Sequence, residues 1–212
     1  MESYNKQYFL ERWEDSVKRS PDSRMLIDSD GQRQYTRKEV DEMSGRVYRY
    51  LKEHQVGTND FVMIYMPRTV DIFVAALGVL KAGAYFTIME DHYPRERVEM
   101  IMHAANCKME LNAAAFAEAT TLETEADYVK SDLHTPAFAV FTSGSTGNPK
   151  GIIHEYGNIG HIMDSVVYPD CEGIKEFALI APTNFVATIL LFMVALKDET
   201  VDVHLLQYDI VK

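Results

Sequence analysis

A continuously apolar run, residues 61–66, and a largely apolar one, 84–89, flank a segment at residues 71–81 that is apolar nearly all round. A helix with no polar face cannot lie on a surface, so the middle segment is predicted to pack between layers, with a buried strand on each side. Gly83 ends that helix, and residues 96–105, just after Pro94, read as the next one. Strand and helix signals thus alternate. Strands joined through helices run parallel, so the fold class is α/β: a mostly parallel sheet with helices on both faces.

Upstream, Phe9, Trp13 and Val17 recur as one helical stripe, residues 25–28 suggest a strand, and Ser29-Asp30-Gly31 a turn. Thr36 followed by Glu39 is a capping-box pattern opening a helix whose apolar face is Val40, Met43, Val47 and Leu51. Residues 112–135 are the least structured-looking stretch and read as a surface connection with room for one helix. Beyond them come a strand at residues 137–141, a glycine-rich loop, a short apolar piece at 151–154, and Ile159, Ile162, Met163 and Val166 at helical spacing. The chain closes with a strand at 177–181, an apolar helix within 185–196 and a strand-like end at 201–206. No internal repeat is present.

With 212 residues the chain can bury one sizeable core, and a single unit is expected. The longest largely apolar run, 185–196, falls short of the roughly 20 residues needed to span a bilayer. The first residues lack the apolar core of a secretion signal, which gives a cytoplasmic expectation. A net charge of −11 opposes nonspecific binding to nucleic acid or to an anionic membrane, so any nucleotide must be held by local groups. Cys107 and Cys171 have no metal or disulfide spacing, and His92 and His103 show none with carboxylates or cysteines; no metal site is read. Asp127 and Asp132 read as a solvated face. The aromatics Tyr48, Tyr50, Tyr65, Phe73, Tyr85 and Phe86 read as core, and His154, Tyr156 and His161 as packing or surface residues.

Thr142-Ser143-Gly144-Ser145-Thr146-Gly147-Asn148-Pro149-Lys150-Gly151 carries the chemistry. Its glycines let the backbone turn tightly and approach an anion, Thr142, Ser143, Ser145 and Thr146 add hydroxyls, and Lys150 adds a positive charge. Such a loop after an apolar strand sits at the carboxyl edge of a sheet, where α/β proteins bind ligands. It is not the common NTPase loop, because counting from Gly144 the second glycine would fall on Pro149.

This stretch resembles the signature of AMP-binding, acyl-adenylate-forming enzymes, which include acyl-CoA synthetases, aryl-acid ligases and nonribosomal peptide synthetase adenylation domains. Thr36 to Val40 resembles the family's early Thr-x-x-Glu-Leu block. Leu80-Lys81-Ala82-Gly83 through Tyr93-Pro94 and Glu96-Arg97 resembles its second block, except that Ile88-Met89-Glu90-Asp91 stands where adenylation domains have Pro-Leu-Asp-Pro. The resemblance implies that ATP and a carboxylic acid give an acyl-adenylate and pyrophosphate, followed by transfer to a thiol of coenzyme A or a carrier protein. It assigns Ser143, Gly144, Ser145, Thr146, Gly147 and Lys150 to the β- and γ-phosphates, with Thr142 at the base and magnesium sharing the charge.

Asn184-Phe185-Val186 falls on the family's Phe-Asp-x-Ser element and marks a substrate pocket, with Val186 where amino-acid-activating relatives place an aspartate for the α-ammonium. A slipped alignment or a purely structural helix start is the competing reading. No Tyr-x-Thr-Gly-Asp element and nothing like the family's mobile C-terminal domain occur. The 212 residues are therefore read as the N-terminal part of one AMP-binding domain, inactive alone; a self-standing nucleotide-binding or interaction module is the alternative.

Overall fold

A computed structural model describes residues 8–143, 149–163 and 173–208. Nine strands divide into two sheets among these residues. The first is β1 (Arg24–Asp28), β2 (Gln34–Thr36), β8 (Glu176–Leu179) and β9 (Asp202–Leu205), in the order β2-β1-β9-β8. The second is β3 (Phe61–Met66), β4 (Tyr85–Glu90), β5 (Met109–Asn112), β6 (Pro136–Ser143) and β7 (Pro149–Glu155), in the order β5-β3-β4-β6-β7. Pairing is parallel except at β1–β2 and β6–β7. The mostly parallel α/β expectation holds, with its strands shared between two sheets.

The described helices are α1 (Tyr8–Arg19), α2 (Arg37–Glu53), α3 (Asp71–Lys81), α4 (Arg95–Ala104), α5 (Ala113–Ala119), α6 (Tyr156–Ile162) and α7 (Val186–Lys197). The capping box forms: Glu39 N–H donates to Thr36 Oγ1 at 3.3 Å and Thr36 N–H to Glu39 Oε2 at 2.8 Å. Every residue of α3 is buried, as its uniform apolarity requires. Its one lysine, Lys81, donates to Asp41 Oδ1 at 2.8 Å, and burial lowers its pKa. Gly83 follows at φ +71°, a conformation that favours glycine and lets Ala84 N–H reach back to Val79 O at 3.2 Å.

Helix α7 is likewise apolar all round, and its two ends are gripped differently. Arg37, wholly buried, donates to Ala195 O and Asp198 O, carbonyls of and just beyond its last turn, at 2.8 and 2.7 Å. A cation there meets the negative end of the helix dipole. Before its first turn, Thr183 donates from both backbone N–H and Oγ1 to Glu90 Oε1, at 3.1 and 2.9 Å.

The strands β2 and β5 were not expected, whereas residues 112–135 hold one helix, α5, followed by an irregular connection, as their composition suggests. Asn112 caps α5 by accepting from Ala114 and Ala115 N–H, at 3.1 and 3.0 Å. Val166 and Cys171 lie outside the described residues. Tyr48, Tyr50, Phe73 and Phe86 are buried core, whereas Tyr65 and Tyr85 are half-buried. Asp127 and Asp132 are exposed.

Candidate functional site

The glycine-rich segment is flanked by two antiparallel strands. Strand β6 is held by β4 on one side and pairs with β7 on the other, so Thr142 lies directly opposite Lys150 and Ser143 opposite Pro149. Residues paired this way project to the same face. The Thr142 hydroxyl and the Lys150 ammonium therefore leave one face of the hairpin neck, both exposed, and among the described residues Lys150 has no carboxylate partner. The next pair, Phe141 and Gly151, belongs to the other face. There the Phe141 ring crosses the glycine so closely that a Cβ on Gly151 would lie 2.8 Å from Phe141 Cε1. Phe141 also meets Phe61 of β3 at 6.0 Å between centroids, which roots the hairpin in the sheet. The side chain of Ser143, and Gly144, Ser145, Thr146 and Gly147 altogether, lie outside the described residues.

The segment before α7 was expected to carry a substrate pocket. Asn184 is half-buried; its Nδ2 lies 3.4 Å from Tyr93 Oη and 3.8 Å from Met89 Sδ, while its Oδ1 is sealed from solvent without a described partner. Phe185 is largely exposed, and Val186, the first residue of α7, packs against the main core. Met89, Tyr93 and Phe141 share one apolar cluster with Phe61, so the root of the hairpin and the neighbours of Asn184 are packed together.

Sequence reasoning missed what positions Asn184. Arg68, just after β3, is buried and donates to Glu90 Oε1 at 2.7 Å, to Tyr208 Oη at 3.0 Å, to Leu179 O at 3.0 Å and to Leu206 O at 2.8 Å. Tyr208 Oη donates in turn to Glu90 Oε1 at 2.9 Å, and burial and the Glu90 carboxylate push its phenol pKa up. This clasp ties the carboxyl ends of β3, β4, β8 and β9 together. Its one visible signal was the glutamate in Ile88-Met89-Glu90-Asp91, standing where relatives of the resemblance have aspartate. Of the other residues considered, Tyr156 is buried, with its pKa raised by burial, and the His154 ring stacks on Phe138 at 4.6 Å.

A family model described as AMP-binding enzyme matches residues 13–198. The chain belongs to the AMP-binding enzyme family. Among curated relatives, surfactin synthase subunit 3 of Bacillus subtilis (strain 168) is 32% identical over 174 residues, 74% of this chain and 14% of that protein. The N-terminal subdomain of Klebsiella oxytoca NpsA in complex with 3-hydroxybenzoyl-AMSN superposes with a TM-score of 0.79 at 21% identity, covering 93% of this chain and 53% of that one. NpsA-ThdA, an artificially fused adenylation-PCP di-domain from the same organism, gives a TM-score of 0.82 at 19% identity, covering 96% of this chain and 43% of that one. The chain thus spans about half the length of the solved structures or less, and a small part of the peptide synthetase. This likeness bears out the α/β reading as the fold of adenylation N-terminal subdomains. No helix among the described residues is long and apolar enough to cross a membrane.

Proposed function

We propose that these 212 residues are the phosphate-binding, N-terminal part of an ATP-dependent carboxylic acid ligase, which forms an acyl-adenylate and releases pyrophosphate. The observation that carries the reading is the in-register pair Thr142 and Lys150 at the neck of the family's signature loop. An ammonium with no carboxylate partner among the described residues and a hydroxyl on the same face suit a polyphosphate, and donors held in place before the reaction stabilise charge on the departing pyrophosphate. The neck supplies donors and no described carboxylate, so magnesium would enter as the counter-ion of the nucleotide. Residues 144–147 are assigned to the β- and γ-phosphates on the same reading.

The acid is one without an α-ammonium. Val186 is partly buried against the core, and residues 182–196 contain no carboxylate to neutralise a buried ammonium, which would be costly unpaired. The 3-hydroxybenzoyl group named with the NpsA subdomain is in keeping with an aryl acid. Relatives among the peptide synthetases, and the adenylation-PCP fusion, favour a carrier-protein thiol over coenzyme A as acceptor. The isolated 212 residues are expected to make no product, because nothing in them resembles the family's ribose-binding carboxylate or its C-terminal domain lysine.

The test is pyrophosphate release by the longer ligase across amino acids and their deaminated analogues, with Lys150→Ala beside the parent. Loss of a charge-assisted contact should cost about 1.5–3 kcal/mol, roughly 10- to 150-fold in rate. A parental rate in Lys150→Ala removes the hairpin from the mechanism. Selective activity with one free amino acid overturns the substrate class alone.

A further inference from the structure

On the outward face of the first sheet, far from the hairpin in sequence, strand register assembles three metal-ligating side chains. In the parallel pair β8–β9, Glu176 lies opposite Asp202 and Ala178 opposite His204. Phe177, Leu179, Val203 and Leu205 point into the core, so Glu176, Asp202 and His204 share the other face. One ligand atom from each of the three lies within 4.8 Å of the other two.

We propose that Glu176, Asp202 and His204 bind a first-row divalent cation, with zinc as the probe, which fastens β8 to β9. The inference is independent of the ligase reading. His204 Nε2 is sealed from solvent and has no hydrogen-bond partner among the described residues. It stands 3.6 Å from Glu176 Oε2, too far for a hydrogen bond. Two donors on one tetrahedral ion with bonds of about 2.0–2.2 Å are separated by roughly 3.3–3.6 Å, so the spacing fits an ion between them. Asp202 completes the set, with a ligand atom within 4.8 Å of those of Glu176 and His204. Arg24 Nη2 holds only Oδ2 of Asp202, at 2.9 Å, leaving the second oxygen for the ion and orienting the carboxylate as outer partners of metal ligands do. One imidazole and two carboxylates with a fourth position for water suit zinc and its first-row neighbours, whereas magnesium favours all-oxygen sites.

Calorimetric titration of the metal-free chain with Zn²⁺ should give one micromolar site, and Co²⁺ should give visible absorption bands. Glu176 is 65% exposed, so Glu176→Gln tests the site without threatening the fold. It should weaken Zn²⁺ binding at least tenfold and abolish the rise in melting temperature that Zn²⁺ brings to the parent; His204→Ala should remove the site. No saturable binding below millimolar Zn²⁺, or equal affinity in the parent and both variants, would overturn the proposal and leave an ordinary His204–Glu176 ion pair. Displacement by millimolar Mg²⁺ would overturn the assignment of the cation.

Discussion

The first sheet is closed at its two ends by buried arginines held in opposite ways. At the amino ends of β1 and β9, Arg37 has no carboxylate partner among the described residues: it donates to Ser16 Oγ, Ser23 Oγ and the carbonyls of Ala195, Asp198 and Val201. At the carboxyl ends, Arg68 meets the ionic partner Glu90 as well as a ring of carbonyls. Neutral dipoles leave the first guanidinium poorly compensated, and burial pulls its pKa down to about 10. A carbonyl cage is enough to hold a strut in place. Where two sheets and the start of α7 must meet beside the candidate pocket, the chain uses a charge pair, which fixes both partners in direction.

Glu90→Gln is the strongest way to break this comparison. It keeps the shape and an acceptor for Thr183 but leaves Arg68 as an uncompensated buried charge, a loss of about 3–5 kcal/mol in urea denaturation. A loss below about 1 kcal/mol would show that carbonyls alone suffice for Arg68, and the two ends would then be equivalent. Arg37→Met should cost less, about 1–3 kcal/mol, because it strands carbonyls at the end of α7 but no opposite charge. A cost equal to that of Glu90→Gln would mean the Arg37 cage is as stringent as the ion pair.

The smallest effect sharpens the comparison through pH. The pKa of Arg37 is lower folded than unfolded, so from about pH 10 up to its ordinary value the unfolded chain holds more protons, and stability from this group rises with pH. Between pH 8.5 and 10.5 the parent should gain stability relative to Arg37→Met, on the order of 1 kcal/mol or less. A flat difference would mean that the cage compensates the charge fully.

The pattern of apolar runs made α3, α7, β3 and β4 legible, because α3 is buried throughout, the others nearly so, and their composition says so. The capping box at Thr36 and Glu39 was legible because both partners lie within one turn. Strand β2, with one intermediate aromatic between polar neighbours, and β5, ending in its own helix cap, offered no such contrast. The anion-cradle reading of the loop rests on its residue types, and its flanking antiparallel strand was not legible: residues 151–154 read as an apolar piece, and Ile152 and Ile153 are in fact exposed on an edge strand. The pairing of Arg68 with Glu90, and of Glu176 with His204, could not be read for a shared reason. Their partners lie 22 and 28 positions apart and meet only through strand register and crossover connections.

The ring of Phe141 lying across Gly151 has a consequence for variation. Any side chain at 151 must displace that ring, so substitutions at 141 and 151 should be coupled, and in a randomised library a residue larger than glycine at 151 should survive only beside a smaller one at 141. The last glycine of the signature is then selected by an aromatic neighbour on the face turned away from Thr142 and Lys150, and its invariance would say nothing about phosphate.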